Sequence, residues 1–433
     1  MKVRFQNFSA KAMQHVTDKK IKTLQNCEDE AIHLIESVQS FGYVIAVDPE
    51  TKKIQVVSEN INELFKVSIT AGETLITELI DTPSEDAPTF QSIYQSVKGG
   101  NTRRAYQWKF AENALCLDNW EKEGSGVAFD SNGLLVIELE PTPQLSYEAA
   151  QQWVPMDVNI RTLLPDVDGC ESISDVADAI AGVFKRYIGF DSVMVYQFDK
   201  TYSGEVIGEA KFPGSRSFKG LKFPASDIPS QARALYLKNR VRCVFDVEQP
   251  PIALIPTVQE AERPPMDLSM SMVRSVSPVH ITYLKNMGIR SSFSVSLVFE
   301  GKLWGLLACH NNEPKYIDQK KRLVCESLGH LYAWQLHTKA LHEKKEQFQI
   351  RQRKLNTIIH QLTGFANPLE AITQKEKGLL DVANACGMAV ITPVDKYLVG
   401  KTPSEQTLTR LLDKFVIPNS EESIAISKLA EEV

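Results

Sequence analysis

The spacing of the hydrophobic positions changes several times along the chain, and the first changes predict a mixed domain. Residues 42–57 hold two β-rich runs around a proline-containing turn, and residues 125–140 repeat this arrangement around DSNG. Both patterns predict β-hairpins, with Gly133 supplying the positive φ of the second turn. Between them, SENINELF at 58–65 has a helix-start signature. We therefore predict an α+β domain of about 110 residues.

A second α+β domain is predicted after a linker that contains several prolines. Residues 171–189 have apolar positions at helical spacing, whereas 191–199 and 204–212 read as strands. Residues 292–309 form a strand–turn–strand pattern with strict alternation. Because alternate residues of a strand lie on opposite faces, this sheet should have one buried face and one face with another use.

A long connection at residues 243–273 interrupts the second domain. It is rich in proline and contains PPIALIP and ERPPMDLSMSM. Loops of this length inside a compact domain are usually functional or disordered, and the apolar content here argues against disorder.

From Lys320 the pattern becomes helical for about 40 residues, which is too long for one small domain to bury. Apolar residues recur at every seventh position, and they are Trp334, Leu341, Phe348, Leu355 and Leu362. This narrow stripe predicts a spine or a helix–helix dimer with a partial coiled coil. A third mixed segment follows from Pro368, and we expect it to be an incomplete domain.

Composition narrows the possible function classes. The chain has 433 residues, 43% of them hydrophobic, so two or three domains with ordinary cores are expected. Its net charge of −6 argues against nucleic-acid binding through phosphate contacts. Because no apolar run approaches the roughly 20 residues of a bilayer span, and the N-terminus lacks a secretory pattern, we expect a cytoplasmic protein without membrane partners.

The cysteines predict neither a disulfide framework nor a zinc site. Seven cysteines are scattered along the chain without a C-x-x-C pair, which favours reduced core residues. Cys27 is the exception, since it lies in the polar segment NCEDE. A role for Cys27 as an attachment point requires a bound partner to position it.

The stretch KFPASDIPSQARALY at 222–236 predicts a corner between a strand and a helix. Asp227 is expected as the N-cap and Pro229 in the first turn, with the helix reaching about Arg240. This interpretation leaves a basic set unexplained, namely Arg233, Arg240, Arg242 and Arg274. The planar guanidinium group of arginine donates paired hydrogen bonds that match the geometry of carboxylates or phosphates of a ligand.

The remaining polar and aromatic candidates favour binding over catalysis. His280 and His310 have no metal-ligand spacing, and a Cys309–His310 pair is disfavoured because neighbours on a strand point to opposite faces. Aromatic residues near these polar groups suit a largely apolar pocket, and they are Tyr196, Phe223, Tyr236 and Tyr283. The residues by themselves thus indicate a domain that binds an anionic, extended, apolar ligand.

Four longer motifs resemble the photosensory core of bacterial phytochromes from about residue 22 to the end. They are NCEDEAIH, FPASDIPSQARALY, RSVSPVHITYLKNMGIRSSFSVSLV and KLWGLLACHN. The resemblance implies antiparallel sheets flanked by helices, with the N-terminal segment threaded through a GAF lasso in a figure-of-eight knot at Val38. The implied domains are an N-terminal extension (1–25), a PAS domain (26–140), a GAF domain (155–318), a long connecting helix (319–365) and a partial PHY domain (366–433).

The same resemblance implies biliverdin as the ligand, linked by a thioether to Cys27. Val279 stands where relatives that attach phycocyanobilin have a cysteine, which argues against that attachment. Asp227 would meet the pyrrole N–H groups through its carbonyl, with His280 nearby, and His310 would reach the D-ring carbonyl. The further binding residues implied are Tyr196, Phe223, Ile228, Pro229, Tyr236, Arg242, Arg274, Ser277, Tyr283, Ser292 and Ser294, with the two arginines and the last two serines at the propionates.

The implied function is red/far-red light sensing through rotation of the D ring, in the sensory part of a two-component histidine-kinase system. A homodimer through the GAF domain and the long helix is expected, with a response regulator or output module as partner. No enzyme activity is expected of this chain, because any kinase would lie beyond residue 433.

One departure and two alternatives stay open at this point. The family usually has I-Q-P-H-G where residues 38–42 read VQSFG. The first alternative is a GAF-based sensor of another small molecule, without covalent pigment. The second is a cysteine-dependent hydrolase that uses Cys27 or Cys309, although the sequence offers no base with a plausible partner.

Overall fold

The structure is a computed structural model, and the chain divides into two compact units, residues 1–340 and 341–433. It describes residues 30–81, 89–111, 114, 123–140, 162–214, 216–362, 376–383, 385–391 and 396–415.

The strands of the first unit are short to medium in length. In chain order they are β1 (Ser37–Val38), β2 (Tyr43–Val47), β3 (Ile54–Ser58), β4 (Ile80–Asp81), β5 (Arg103–Phe110), β6 (Glu123–Ser131), β7 (Leu134–Glu140), β8 (Ser192–Phe198), β9 (Gly204–Lys211), β10 (Lys222–Phe223), β11 (Val241–Val244), β12 (Ile252–Ile255), β13 (Ser291–Phe299) and β14 (Lys302–Asn311).

Among the described residues, the α-helices that begin in this unit are α1 (Ile61–Leu64), α2 (Phe90–Val97), α3 (Ile173–Ile188), α4 (Ser230–Lys238), α5 (Pro278–Asn286) and α6 (Gln319–Leu362). Helix α3 has the features that its sequence predicts. Ser172 and Asp175 form a capping box at its start, and Gly189 ends it in the left-handed conformation. None of the described helices has the length and apolar content that a membrane crossing requires.

An antiparallel sheet forms the first half of this unit. Within the described residues its order is β1–β12–β3–β2–β7–β6–β5–β4. The two predicted hairpins pair as β2–β3 and β6–β7, and Gly133 turns the second hairpin with a φ of 88°. Strand β12 comes from the long connection, so this connection extends the sheet of the first domain.

The central strands of this sheet are buried on both faces, because the second face packs against the long connection. On one face, Ile45, Leu139 and Trp108 form a core with α1 and α2. On the other face, strand residues pack against connection residues, and this cluster includes Val44, Ala46, Val56, Phe129, Val136, Met266, Leu268, Met270 and Val273. The connection is therefore ordered, as its apolar content predicts.

The segment at 30–39 lies between the part of the connection near Ile252 and the part near Arg274. Val38 pairs with Ile252 on one side and forms a bridge with Arg274 on the other. Glu36 accepts hydrogen bonds from the Arg263 side chain, at 2.5 Å for one Nη2–Oε2 contact. Threading of the chain through the lasso stays a prediction, since residues 1–29 lie outside the described part.

A second antiparallel sheet, in the order β10–β9–β8–β14–β13–β11 over the described residues, forms the second domain. One face packs against α3 and the first turns of α6. Phe184 of α3 and Tyr332 of α6 meet Phe293 and Val295 of β13 in this core.

A buried ion pair joins the first sheet to α6. Arg322 donates a hydrogen bond to Glu140 at the end of β7, and both side chains are almost fully buried. Tyr316 donates to the same carboxylate at 2.8 Å, and the guanidinium lies 5.4 Å from the ring centroid of Phe41. Phe41, where the family usually has histidine, also contacts Phe245 and Tyr316 edge to face.

The second unit contains a part of α6 and a small mixed segment. Its other elements are α7 (Glu376–Ala383), β15 (Gly387–Ile391), β16 (Lys396–Gly400) and α8 (Glu405–Phe415). Strands β15 and β16 form an antiparallel pair. This order agrees with the mixed segment expected after the long helix.

We expect that breaking the Arg322–Glu140 pair destabilises the protein more than removing both charges. Glu140→Leu leaves a buried cation without its partner, which costs about 3–5 kcal/mol. The double variant Glu140→Leu/Arg322→Met should recover most of this loss. Urea denaturation followed by circular dichroism measures the three free energies of unfolding.

The control is the exposed pair of Lys222 and Glu205 at 3.4 Å. Lys222→Met should change the free energy of unfolding by less than about 1 kcal/mol, because solvent screens exposed pairs. Equal losses in the single and double variants of the buried pair would contradict the prediction.

Candidate functional site

The face of the second sheet that points away from α3 and α6 carries polar side chains. Along β13, Phe293, Val295 and Leu297 belong to the helix-side core. Because alternate residues of a strand point to opposite faces, Ser292 and Ser294 lie on the other face. The strict alternation in the sequence predicts this division.

Strand pairing brings further predicted site residues onto this face. Arg242 lies opposite Ser294, and His310 lies opposite Ser292. Residues directly opposite in an antiparallel pair share a face. Cys309 belongs to the helix-side core instead, where burial raises the pKa of its thiol well above the usual value. The structure therefore separates Cys309 from His310, as the sequence predicts.

Arg242 and Arg274 form the cationic part of the site. Arg242 donates from Nη2 to the carbonyl of Ser275 at 2.6 Å, and Arg274 donates from Nη1 to the carbonyl of Ile32. Nη1 of Arg242 and Nε of Arg274 are buried without a hydrogen-bond partner among the described residues. Two nearby guanidinium groups with unused donors would suit anionic groups of a ligand.

The environment of both arginines disfavours their charge. Burial lowers the pKa of Arg242 to about 10. Burial, together with the neighbouring charge of Arg242, lowers the pKa of Arg274 well below its usual value. An anion beside them would offset both effects, because an opposite charge favours the charged form.

Two residues that the sequence did not single out as site residues hold this arginine pair. Nε2 of Gln39 donates to the carbonyls of Cys243 at 2.7 Å and Arg274 at 3.2 Å, and its Oε1 accepts from the amide of Phe245 at 3.1 Å. Ser275 donates to the carbonyl of Ser37 at 3.0 Å. These contacts join residues more than 200 positions apart, so no local pattern could predict them.

His280 and His310 are neutral at physiological pH. Burial, and next the charge of Arg242, lowers the pKa of His280 to about 4. Burial, and next His280, lowers the pKa of His310 to about 4. Each neutral imidazole carries one N–H donor and one acceptor. The His280 ring stacks on Tyr283 with centroids 6.0 Å apart.

An aromatic cluster borders the polar groups. Tyr196 lies 6.0 Å from Phe223 between ring centroids. Ile228 and Tyr236 pack against the same cluster, and the hydroxyl of Tyr236 lies 3.5 Å from Oγ of Ser294. Three of the four predicted pocket aromatics, Tyr196, Phe223 and Tyr236, therefore lie together, with polar groups at their edge.

The corner at 222–230 differs from its predicted form. A 3₁₀ turn spans Ala225–Asp227, and α4 begins at Ser230 after Pro229. Asp227 is therefore not the N-cap of α4, because Ile228 and Pro229 lie between it and the first residue of the helix. Partial burial raises the pKa of the Asp227 carboxyl. Burial, and next the charge of Asp227, raises the pKa of Tyr283.

Some predicted residues have other partners or fall outside the site. Ser277 caps α5 and donates to Glu30 at 2.6 Å. Arg240, beyond the end of α4 at Lys238, lies with Nη1 3.0 Å from Nδ1 of His330 on α6. Cys27, the predicted attachment residue, lies outside the described residues.

The arrangement suits binding of an extended ligand with acidic groups. The arginine pair would hold anionic groups, the neutral histidines would donate or accept hydrogen bonds, and the aromatic cluster would contact an apolar body. Over the described part of the chain, no group of three or more His, Cys, Asp or Glu side chains could hold a metal ion.

Comparison with family models identifies two domains. The PAS fold matches residues 27–142, and the GAF domain matches residues 172–336. The first match covers the first sheet except for β12, and the second covers β12, the second sheet and the start of α6.

Curated relatives are similar over most of the chain. The bacteriophytochrome of Xanthomonas campestris is 30% identical over 404 residues, covering 90% of this chain and 60% of the relative. Cyanobacterial phytochrome B of Nostoc is 29% identical over 408 residues, covering 94% and 53%. The chain thus spans between half and three fifths of the length of these relatives.

A solved structure agrees with this relationship. The photosensory core module of the Stigmatella aurantiaca phytochrome matches with a TM-score of 0.73 and 26% identity. The match covers 92% of this chain and 77% of that structure. The chain therefore contains a PAS fold and a GAF domain, and it is similar to the photosensory core of bacterial phytochromes.

Proposed function

We propose that this chain is the sensory part of a red/far-red light photoreceptor that binds biliverdin on the polar face of the second sheet. The observation that carries the proposal is the buried pair of Arg242 and Arg274, with donors that have no partner among the described residues. Biliverdin has two propionate groups on an extended, apolar tetrapyrrole, and carboxylates match arginine donors in charge and geometry.

The residues of the site are suited to both the propionate groups and the D ring of this ligand. Ser292 and Ser294 share the sheet face with Arg242 and would complete the propionate contacts. Tyr196, Phe223 and Tyr283 would pack against the D ring. His310, as a neutral imidazole, would donate to the D-ring carbonyl.

The proposed partners of the pyrrole N–H groups are the main-chain carbonyl of Asp227 and, through a shared water, His280. The site would then favour a protonated tetrapyrrole, because hydrogen bonds to a charged form stabilise it. Ile228 and Pro229 would form the floor beneath the pigment, while Ser277 would lie at its margin. Cys27 would form the thioether.

When bound, biliverdin supplies light absorption and rotation of its D ring about a methine double bond. The chain's own contribution is to hold His310 and Asp227 where their hydrogen bonds differ between two states. Helix α6 packs on the opposite face of the same sheet through Cys325, Leu328 and Tyr332. A conformational change of the sheet would shift the equilibrium of a two-state element in the PHY segment. That shift would then be transmitted to a histidine kinase or a response regulator.

The proposal includes a homodimer through the GAF domain and α6. Trp334, Leu341 and Phe348 recur every seventh residue on α6 and are 60%, 53% and 61% exposed. An exposed apolar stripe at this spacing is typical of helix–helix association.

Biliverdin mixed with the apoprotein should give a covalent pigment with a red/far-red difference spectrum. In Cys27→Ser the pigment should no longer survive denaturation, because the thioether sulfur is absent. Zinc-induced fluorescence of a denaturing gel measures the attachment. Cys386→Ser, at an exposed cysteine of the second unit, is the matched control and should retain the pigment.

If the wild type gives no coloured adduct, the GAF domain senses another small molecule and the photoreceptor proposal is wrong. Pigment that survives denaturation in Cys27→Ser would instead assign the attachment to another residue.

Arg242→Gln and Arg274→Gln should each weaken binding of biliverdin about 10- to 100-fold in a Cys27→Ser background. A charge-assisted hydrogen bond contributes about 1.5–3 kcal/mol. Absorbance titration measures the dissociation constants. Arg186→Gln is the control, since Arg186 is exposed at the end of α3, on the opposite side of the sheet.

The same titration with biliverdin dimethyl ester separates charge recognition from loss of structure. The ester has no propionate charge, so both variants should bind it about as well as the parent does. Equal weakening for the acid and the ester would contradict the assigned role of the two arginines.

Phe348→Glu should shift the chain from dimer to monomer, because a buried charge opposes helix association. Sedimentation velocity measures the oligomeric state. Arg353→Glu reverses a charge on another face of α6 and should leave the dimer intact. A monomeric wild type, or a dimer that tolerates Phe348→Glu, would refute this part of the proposal.

A further inference from the structure

The corner at 224–229 has few ordinary backbone restraints. Pro224 and Pro229 have no N–H group, and α4 has no side-chain cap at its N-terminus. The amide of Asp227 donates to the carbonyl of Pro224 at 3.1 Å, and the amide of Arg233 donates to that of Pro229 at 3.1 Å. These two bonds leave the middle of the corner dependent on side chains.

The Arg233 side chain supplies two further bonds to this corner. Its Nη1 donates to the carbonyl of Ala225 at 3.2 Å and to the carbonyl of Ile228 at 2.5 Å. Arg233 is the fourth residue of α4, and side chains of a helix point back towards its N-terminus. A single guanidinium therefore fixes the carbonyls on both sides of Asp227.

The same guanidinium is held on the tip of the β8–β9 hairpin. Its Cζ lies 4.6 Å from the ring centroid of Tyr202, which adopts a left-handed backbone with φ 62°. The Asp199 carboxylate fixes this tip by accepting from the amides of Thr201 at 2.7 Å and Ser203 at 3.0 Å. Arg233 thus ties the corner to a rigid turn of the sheet.

The carbonyl of Asp227 differs from its neighbours. The carbonyls of Pro224, Ala225, Ile228 and Pro229 all accept hydrogen bonds, whereas within the described chain none is found to the carbonyl of Asp227. This acceptor is therefore free for a ligand, while the backbone around it is restrained.

We propose that Arg233 is a positioning residue, which sets the place of the Asp227 carbonyl by clamping the corner against Tyr202. The inference rests on the proposed function, in which this carbonyl accepts from the pyrrole N–H groups. Because hydrogen bonds need donor–acceptor distances of about 2.7–3.2 Å and weaken steeply at angles below about 120°, a shift of the corner would reduce stabilisation of the protonated pigment. Lysine cannot replace this role, because it lacks the planar fork that bonds and stacks together.

The first experiment is a pH titration of the visible absorbance of the biliverdin-loaded protein. Arg233→Ala should lower the apparent pKa of the bound pigment by about one unit, with covalent attachment unchanged. Arg233→Lys should recover less than half of the shift. Lys238→Ala, on the exposed last turn of the same helix, is the control and should match the wild type.

The second experiment needs no pigment. Hydrogen–deuterium exchange of the apoprotein should be about tenfold faster in peptides covering 224–233 of Arg233→Ala, while α3 stays protected. Tyr202→Ala should give a smaller increase in the same peptides. Unchanged exchange in Arg233→Ala would overturn the clamp, whatever the wild type binds.

The two experiments distinguish the possible failures. Faster exchange with an unchanged pigment pKa would overturn the link between the corner and the pigment. If the wild type binds no biliverdin, the proposed function fails together with the carbonyl's part in it, and exchange alone decides whether Arg233 holds the corner.

Discussion

The structure depends on burying the long connection between β11 and α5 against the first sheet. A sheet with strands apolar on both faces needs a second layer, and the Met266–Val273 segment provides it. This burial has a polar cost, because the connection brings backbone groups into the interface. Glu138 offsets part of this cost, because its carboxylate accepts a hydrogen bond from the amide of Met272 at 2.9 Å. Burial raises the pKa of the Glu138 carboxyl to about 7.

The position of the arginine pair follows from the same packing. Arg274 ends the buried segment of the connection and also bridges to Val38, so its backbone is fixed by the first domain. Arg242 is fixed by β11 of the second domain. Gln39 bonds to backbone groups next to both. The site is therefore shared between two domains, and its geometry requires that both are folded.

The two faces of the second sheet differ in the way that the proposed function requires, with a ligand on one face and the long helix on the other. One face is a close-packed core with α3 and α6, and the other carries polar side chains beside a smaller apolar and aromatic cluster. Close-packed cores transmit displacement because they have few voids. A ligand bound on the second face would thus be separated from the long helix by a single layer of strands.

The sequence by itself predicted both hairpins of the first sheet, the β13–β14 pair and helices α3 and α6, and it supplied the candidate site residues. Alternation of apolar residues predicted which side chains of β13 and β14 share a face, and helical spacing predicted α3 and α6. Both patterns follow directly from the local backbone geometry of strands and helices. The motifs also indicated the family and the candidate ligand contacts. Only the tertiary structure decided that Gln39 supports the arginines, that Arg322 pairs with Glu140 across 182 positions, and that Asp227 lies before the helix rather than at its cap. Such contacts depend on which distant surfaces meet, and local periodicity does not encode that choice.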